Sequence, residues 1–162
     1  MENLTNLAEE ADKAAAMHHG GQLDNAEAAY RHLLGDHPDD HNPRHLLGVL
    51  LFQTSTFDEA EKELRQAIAL AGPAAPGAYH ADLGNVLQRL GRMSDAESEL
   101  STAVDLDPSL AAAQSNLGVV LTETGRAEEA LGPLFKAAGL APDLAEPQIN
   151  LAGGLRVAGR AA

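Results

Sequence analysis

Apolar residues along the chain recur with helical spacing, and that recurrence itself repeats. Leu83, Val86, Leu87 and Leu90 stand at i, i+3, i+4 and i+7, a stripe along one side of a helix. Leu47-Gly48, Leu83-Gly84 and Leu117-Gly118 lie 36 and then 34 residues apart, and Leu151-Ala152 follows another 34 on. Ala26, Ala60, Ala96 and Ala130 are separated by 34, 36 and 34. Pro38, Pro108 and Pro142 close three of the units, while Ala71-Gly72-Pro73-Ala74-Ala75-Pro76-Gly77 gives the second unit two extra residues. A fixed period of this length marks an array of small units that bury their apolar faces against one another. The units run over 7–40, 41–76, 77–110 and 111–144, with a partial fifth over 145–162, so that residues 1–162 form a single array.

Each unit reads as two helices. Gly91 stands where a left-handed residue ends the first helix; Gly21, Gly125 and Gly159 hold the same place, and Ser55 does so in the second unit. Asp24 with Glu27, Asp58 with Glu61 and Ser94 with Glu97 have the spacing of a capping box and predict the starts of the second helices. The fourth unit has Glu128 at that place and Pro133 soon after, which predicts a kinked or delayed helix. Ala14, Gly48, Gly84 and Gly118 are small where paired helices are expected to cross closely. No segment alternates polar and apolar residues for long, so the fold class is all-α without a sheet.

The combination of period, Leu-Gly, Ala, Leu four later and closing Pro resembles the tetratricopeptide repeat family. Leu83-Gly84, Ala96, Leu100 and Pro108 carry it in one unit, and Leu117-Gly118, Ala130, Leu134 and Pro142 in the next. The family's Trp position holds Glu10, Arg44, His80, Gln114 and Gln148 instead, and its Tyr position holds Met17, Leu51, Leu87, Leu121 and Leu155. The resemblance implies antiparallel helix pairs in a right-handed superhelical solenoid, four full repeats plus a half repeat, with the first helices lining a concave surface.

Composition narrows the function. The formal net charge is −13, which repels phosphate backbones and anionic lipid, so neither nucleic acid nor membrane is an expected partner. No apolar run approaches a membrane span, and the start has neither a basic region nor an apolar core. The absence of Cys removes disulfides and thiolate sites and fits a reducing, cytoplasmic setting. His37, His41 and His45 have ligand-like spacing, but Pro38 and Pro43 keep the three off one helix; only His45 reads as clearly helical, and no metal is expected. His80, at the Trp position, is expected to be a partly buried packing residue. There is no Gly-x-Ser-x-Gly turn and no Gly-Lys-Ser phosphate loop, so neither catalysis nor a cofactor is expected.

What remains is a binding face. At the family's inward positions stand Asn42, His45, Leu46, Val49, Phe52 and Gln53 in the second unit, and Asp82, Asn85, Gln88 and Arg89 in the third. The fourth offers Ser115, Asn116, Val119, Thr122 and Glu123, and the fifth Glu146, Ile149, Asn150 and Arg156. Asn116 and Asn150 share one repeat position and are similar to the asparagine ladder in the repeat arm of O-linked N-acetylglucosamine transferases, where stacked amides clamp an extended peptide. A carboxamide both donates and accepts, matching a peptide unit. The plainer alternative is that these amides are solvated or bond a neighbouring repeat. The Lys positions of the family's carboxylate clamp hold Ala11 and Ala78, so an acidic tail is not the expected ligand; a neutral or weakly basic peptide is.

The reading is therefore a protein-interaction module without chemistry of its own. Its alternatives are the substrate-selecting N-terminal arm of a larger enzyme, such as a glycosyltransferase, and a self-associating scaffold. The fifth unit holds only a first helix and its turn, which suggests a fragment with an uncovered edge at Leu151 and Leu155, and to a lesser degree at Val157. Gly153 and Gly154 are expected to weaken that helix.

Overall fold

The computed structural model describes residues 2–159, with side chains within 9–159. Among the described residues there is no strand. The helices are α1 (Glu2–His19), α2 (Leu23–Asp36), α3 (His41–Gln53), α4 (Phe57–Ala71), α5 (Gly77–Arg89), α6 (Met93–Leu106), α7 (Ala111–Glu123), α8 (Ala127–Leu140) and α9 (Ala145–Val157). They form two compact units, the first ending at Ala75 and the second beginning at Pro76. In the first, α1 packs on α2 and α3 on α4. In the second, α5 pairs with α6 and α7 with α8, while α9 lies against both α7 and α8. The second repeat's two extra residues fall in Ala71–Gly77, where Gly72–Ala74 makes a short 3-10 turn at the end of the first unit.

The turn inside each pair is built the same way. Gly21, Ser55, Gly91 and Gly125 have φ of 75°, 63°, 75° and 82°, as the sequence predicts, and Gly159 has 74°. The residue after each of the first four donates its N–H to a carbonyl five residues back: Gln22 to Met17, Thr56 to Leu51, Arg92 to Leu87 and Arg126 to Leu121. This is the Schellman closure of a first helix. The same four residues are also the N-caps of α2, α4, α6 and α8. The expected capping boxes are therefore not formed, because Asp24, Asp58 and Ser94 already lie inside the first helical turn. The turn is so tight that the end of one helix is the start of the next, which leaves no separate position for a capping side chain. Asp40 does cap with its side chain, at the start of α3, where it accepts the Asn42 N–H at 3.0 Å. Glu128 is likewise a first-turn acid rather than a cap, and α8 starts on time at Ala127 and runs through Pro133 to Leu140.

Ser55 occupies a backbone region that L-residues avoid. Ser55→Gly is expected to stabilise the first unit by about 1 kcal/mol, measured as a rise in the denaturation midpoint. A fall would show that the Ser55 side chain makes a contact that outweighs the strain.

Close crossing explains the small residues. A Cβ at Gly48 would stand 2.7 Å from Leu64 Cγ, one at Gly84 2.6 Å from Leu100 Cγ, and one at Gly118 2.6 Å from Leu134 Cδ2. Each of these leucines is fully buried, as is Ala14. Pro38, Pro108 and Pro142 lie in turns between pairs. In one such turn the Ser109 hydroxyl and amide both donate to Asp107 Oδ1, at 2.6 and 2.9 Å, and hold its carboxyl below the ordinary carboxylate range.

The family's Trp position is polar here, and its residues are bonded. Arg44 Nη1 donates to Glu63 Oε2 at 2.6 Å on its own second helix. Nineteen residues apart in the same way, His80 Nδ1 lies 2.8 Å from Glu99 Oε2, so His80 is a half-buried packing residue with a carboxylate partner. Pro133 takes the matching place in the next pair, and Gln114 donates instead to the Pro108 carbonyl at 3.2 Å.

Candidate functional site

Of the candidates in the first unit, Asn42, His45 and Phe52 lie on α3. Asn42 is exposed in the first turn of α3, tied through its backbone to Asp40. Phe52 is half-buried and packs its ring 5.7 Å from Phe57. His45 is half-buried within α3. His41 is helical as well, a correction to the expectation for this segment, because Pro43 sits in the first turn, where its missing N–H costs nothing. His37 stays outside, as the C-cap of α2.

The second unit brings more of the candidates together. Asn116 Nδ2 donates to Asn85 Oδ1 at 2.6 Å, and Asn150 Nδ2 donates to Ser115 Oγ at 3.0 Å. The two repeat-equivalent amides thus do not bond each other; each reaches back to the preceding first helix. One N–H and the carbonyl oxygen of each carboxamide remain as bonding capacity beyond these bonds. Gln88 Nε2 donates to Glu123 Oε2 at 2.8 Å, a bond 35 residues long in sequence that closes the groove rim between α5 and α7. The first unit contains its counterpart, with His18 Nε2 3.1 Å from Gln53 Oε1. Asp82 is half-buried and Arg89 exposed on α5.

Between α7 and α9 no such bridge can form, because the matching pair is Thr122 and Val157. The Thr122 hydroxyl donates to the Gly118 carbonyl at 2.8 Å instead. The result is a cleft of about 260 Å³. Val119, Ile149 and Val157 give it apolar walls, Gly153 lies at its base, and Glu123, Asn150 and Arg156 stand around it. Ile149 is 67% exposed and Val157 53% exposed. Sequence reasoning placed Thr122, Glu123, Asn150 and Arg156 on this face but read Gly153 only as a helix weakener. The signal was available: at Gly153's repeat position stand Val49, Asn85 and Val119.

Leu151 and Leu155 are half-buried, whereas their counterparts Leu117 and Leu121 are buried. Helix α9 is nonetheless continuous through Gly153-Gly154. Among the described residues no helix is long and apolar enough to cross a membrane, and no group of three or more acidic or imidazole side chains has metal-holding geometry.

Comparison with curated proteins finds no match. Among solved structures, the chain is similar to YrrB, described as a tetratricopeptide repeat protein with an unusual peptide-binding site, at 20% identity over 93% of this chain and 77% of that one, with a TM-score of 0.75. It is similar to pilF of Pseudomonas aeruginosa at 18% identity over 96% of this chain and 70% of that one, with a TM-score of 0.84. A mutant O-GlcNAc transferase of Thermobaculum terrenum shares 26% identity over 85% of this chain but only 26% of its own, with a TM-score of 0.78. The tetratricopeptide repeat profile matches residues 19–79 and 81–145, most of the sequence. With the helix pairs, the Gly-on-Leu crossings and the shared turn already in place, that match settles the assignment: the chain belongs to the tetratricopeptide repeat family.

Proposed function

We propose that the chain is a protein-interaction module without catalysis, and that the first-helix face of its second unit takes an extended peptide segment. The observation that carries this is the juxtaposition of Asn150 with the open, apolar-walled cleft beside it. Asn85, Asn116 and Asn150 supply amide groups along the same face, suited to the alternating donors and acceptors of a peptide backbone. The face carries Asp82, Glu123 and Glu146 against Arg89 and Arg156, on a chain of net charge −13, so the segment is neutral or weakly basic. YrrB, with its peptide-binding site, shares the fold and supports the reading.

Asn116→Ala together with Asn150→Ala is expected to weaken peptide binding about 5- to 150-fold while leaving helicity intact. Random peptides selected on the wild-type chain and re-measured on the double variant provide the test. Selected peptides that bind both equally would end the amide-clamp reading.

Two further readings each have an observation in favour. Likeness to the O-GlcNAc transferase supports a substrate-selecting arm of a larger enzyme. The half-buried Leu151 and Leu155 support self-association at the edge of α9. The latter predicts concentration-dependent sizing that returns to monomer on Leu151→Glu plus Leu155→Glu; a monomer at every concentration excludes it.

A further inference from the structure

We propose that the cleft between α7 and α9 is an anchor pocket for one leucine-sized aliphatic side chain, carried by a neutral or basic extended peptide. The proposal rests on the peptide-groove reading above and adds what that reading leaves open, the side-chain chemistry of the ligand.

Two glycines of α9 stand where the other first helices carry side chains, and only one of them leaves open space. Gly154 falls where Leu50, Val86 and Val120 are fully buried in the other first helices. That space is filled from below, since a Cβ on Gly154 would collide with Leu134 Cδ1. Gly153 falls where the preceding first helix carries Val119, and nothing lies within 4 Å of the place its Cβ would occupy. The empty volume therefore opens onto the groove rather than into the core. Ile149, one of its apolar lining residues, is 67% exposed. An apolar cavity of roughly 150 Å³ already accepts a benzene-sized guest, so about 260 Å³ accommodates one branched aliphatic side chain. A mostly apolar concavity with a few convergent polar groups is the usual form of a binding pocket.

The polar surroundings select the rest of the ligand. Asn150 stands beside the pocket to meet the peptide backbone. Glu123, which already accepts from Gln88, and Arg156 both line the pocket, so a basic residue adjacent to the anchor is favoured only on the Glu123 side. The acidic charge of the chain disfavours an acidic neighbour there.

The test is a titration of the full ¹⁵N-labelled chain with acetyl-Ser-Lys-Leu-Ser-amide, and with the same probe carrying Ala or Glu in place of Leu. The leucine probe is expected to shift amides in 119–123 and 150–157 saturably, the alanine probe to bind about tenfold more weakly, and the glutamate probe not to bind. Gly153→Val restores the side chain that α7 carries at this position; it is expected to abolish the shifts without lowering the melting temperature, which separates a filled pocket from a damaged fold. No shifts at millimolar leucine probe, shifts confined to other residues, equal binding by Gly153→Val, or the same shifts appearing with protein concentration alone would each overturn the proposal. Display-selected peptides keep the two readings apart: if they lose binding to the Asn116/Asn150 variant but hold Gly153→Val as well as wild type, the anchor fails and the groove stands.

Discussion

Gly118→Ala is expected to destabilise the second unit by about 1–3 kcal/mol, although the same change in an unobstructed helix stabilises it by up to about 1 kcal/mol. The reversal follows from where α7 crosses α8. An added methyl would stand 2.6 Å from Leu134 Cδ2 and 3.3 Å from the Ala130 carbonyl oxygen. Leu134 is fully buried, so its displacement disturbs the packing around it. Gly139→Ala on α8 is the control, because nothing lies within 4 Å of its Cβ position. Leu134→Ala alone is expected to cost about 2–5 kcal/mol through the cavity it leaves. In Gly118→Ala plus Leu134→Ala the new methyl enters that cavity, so the double variant should lose less than its two parts, by at least about 0.5 kcal/mol. Urea unfolding followed by circular dichroism measures all four. Stabilisation by Gly118→Ala, matching Gly139→Ala, would mean that the helices do not approach this closely.

Removing the Glu63 carboxylate is the second large effect expected, about 3 kcal/mol for Glu63→Ala. Arg44 and Glu63 are an ion pair with side chains only 14% and 10% exposed. Arg44 also donates to Gln66 Oε1 at 2.7 Å and to the Pro38 carbonyl at 2.8 Å, while its Nε is buried with no partner. Deleting the carboxylate strands a charge that is already incompletely satisfied. Replacing both residues, Arg44→Met with Glu63→Leu, removes the desolvation penalty together with the attraction, and the outcome expected is neutral to stabilising by up to about 4 kcal/mol. Exposed pairs such as Arg31 with Glu27 and Glu59 are worth little by comparison. A Glu63→Ala variant no less stable than Glu27→Ala would show that the Trp position tolerates a lone arginine.

The parts of the fold legible in the sequence are those that one residue decides by local sterics. A glycine, or Ser55, at a fixed step after Leu-Gly marks a left-handed turn because few other residues accept that backbone. Gly48, Gly84 and Gly118 mark crossings because a Cβ does not fit. The capping boxes were misplaced for the complementary reason. Gln22, Thr56, Arg92 and Arg126 end one helix and begin the next through backbone bonds, and none caps with its side chain, so the usual capping residues are not the signal. Pro133 misled because a proline reads as an interruption, while α8 simply runs through it. In the candidate site, the face to which Asn116 and Asn150 belong followed from periodicity. Their partners Asn85 and Ser115 did not, since that choice depends on the offset between neighbouring helices. The cleft depended on a side chain that is absent, visible only once Gly153 is set against Val119.

The seven residues Ala71–Gly77 bear on how such a chain can change. A residue inserted beside Gly91 would disturb a turn in which every backbone bond has a fixed length in sequence, and the pair it joins would be lost. The stretch around Gly72 and Pro73 already carries two residues more than its counterparts, and both neighbouring pairs are formed. In this chain the extra length falls between pairs, while the turns within pairs keep one length. Helix pairs become exchangeable cassettes, and the junction of Ala75 and Pro76 is the natural splice point. A gene recombined there would swap Asn85, Asn116, Asn150 and the Gly153 pocket as one inherited piece, leaving α1–α4 to evolve separately.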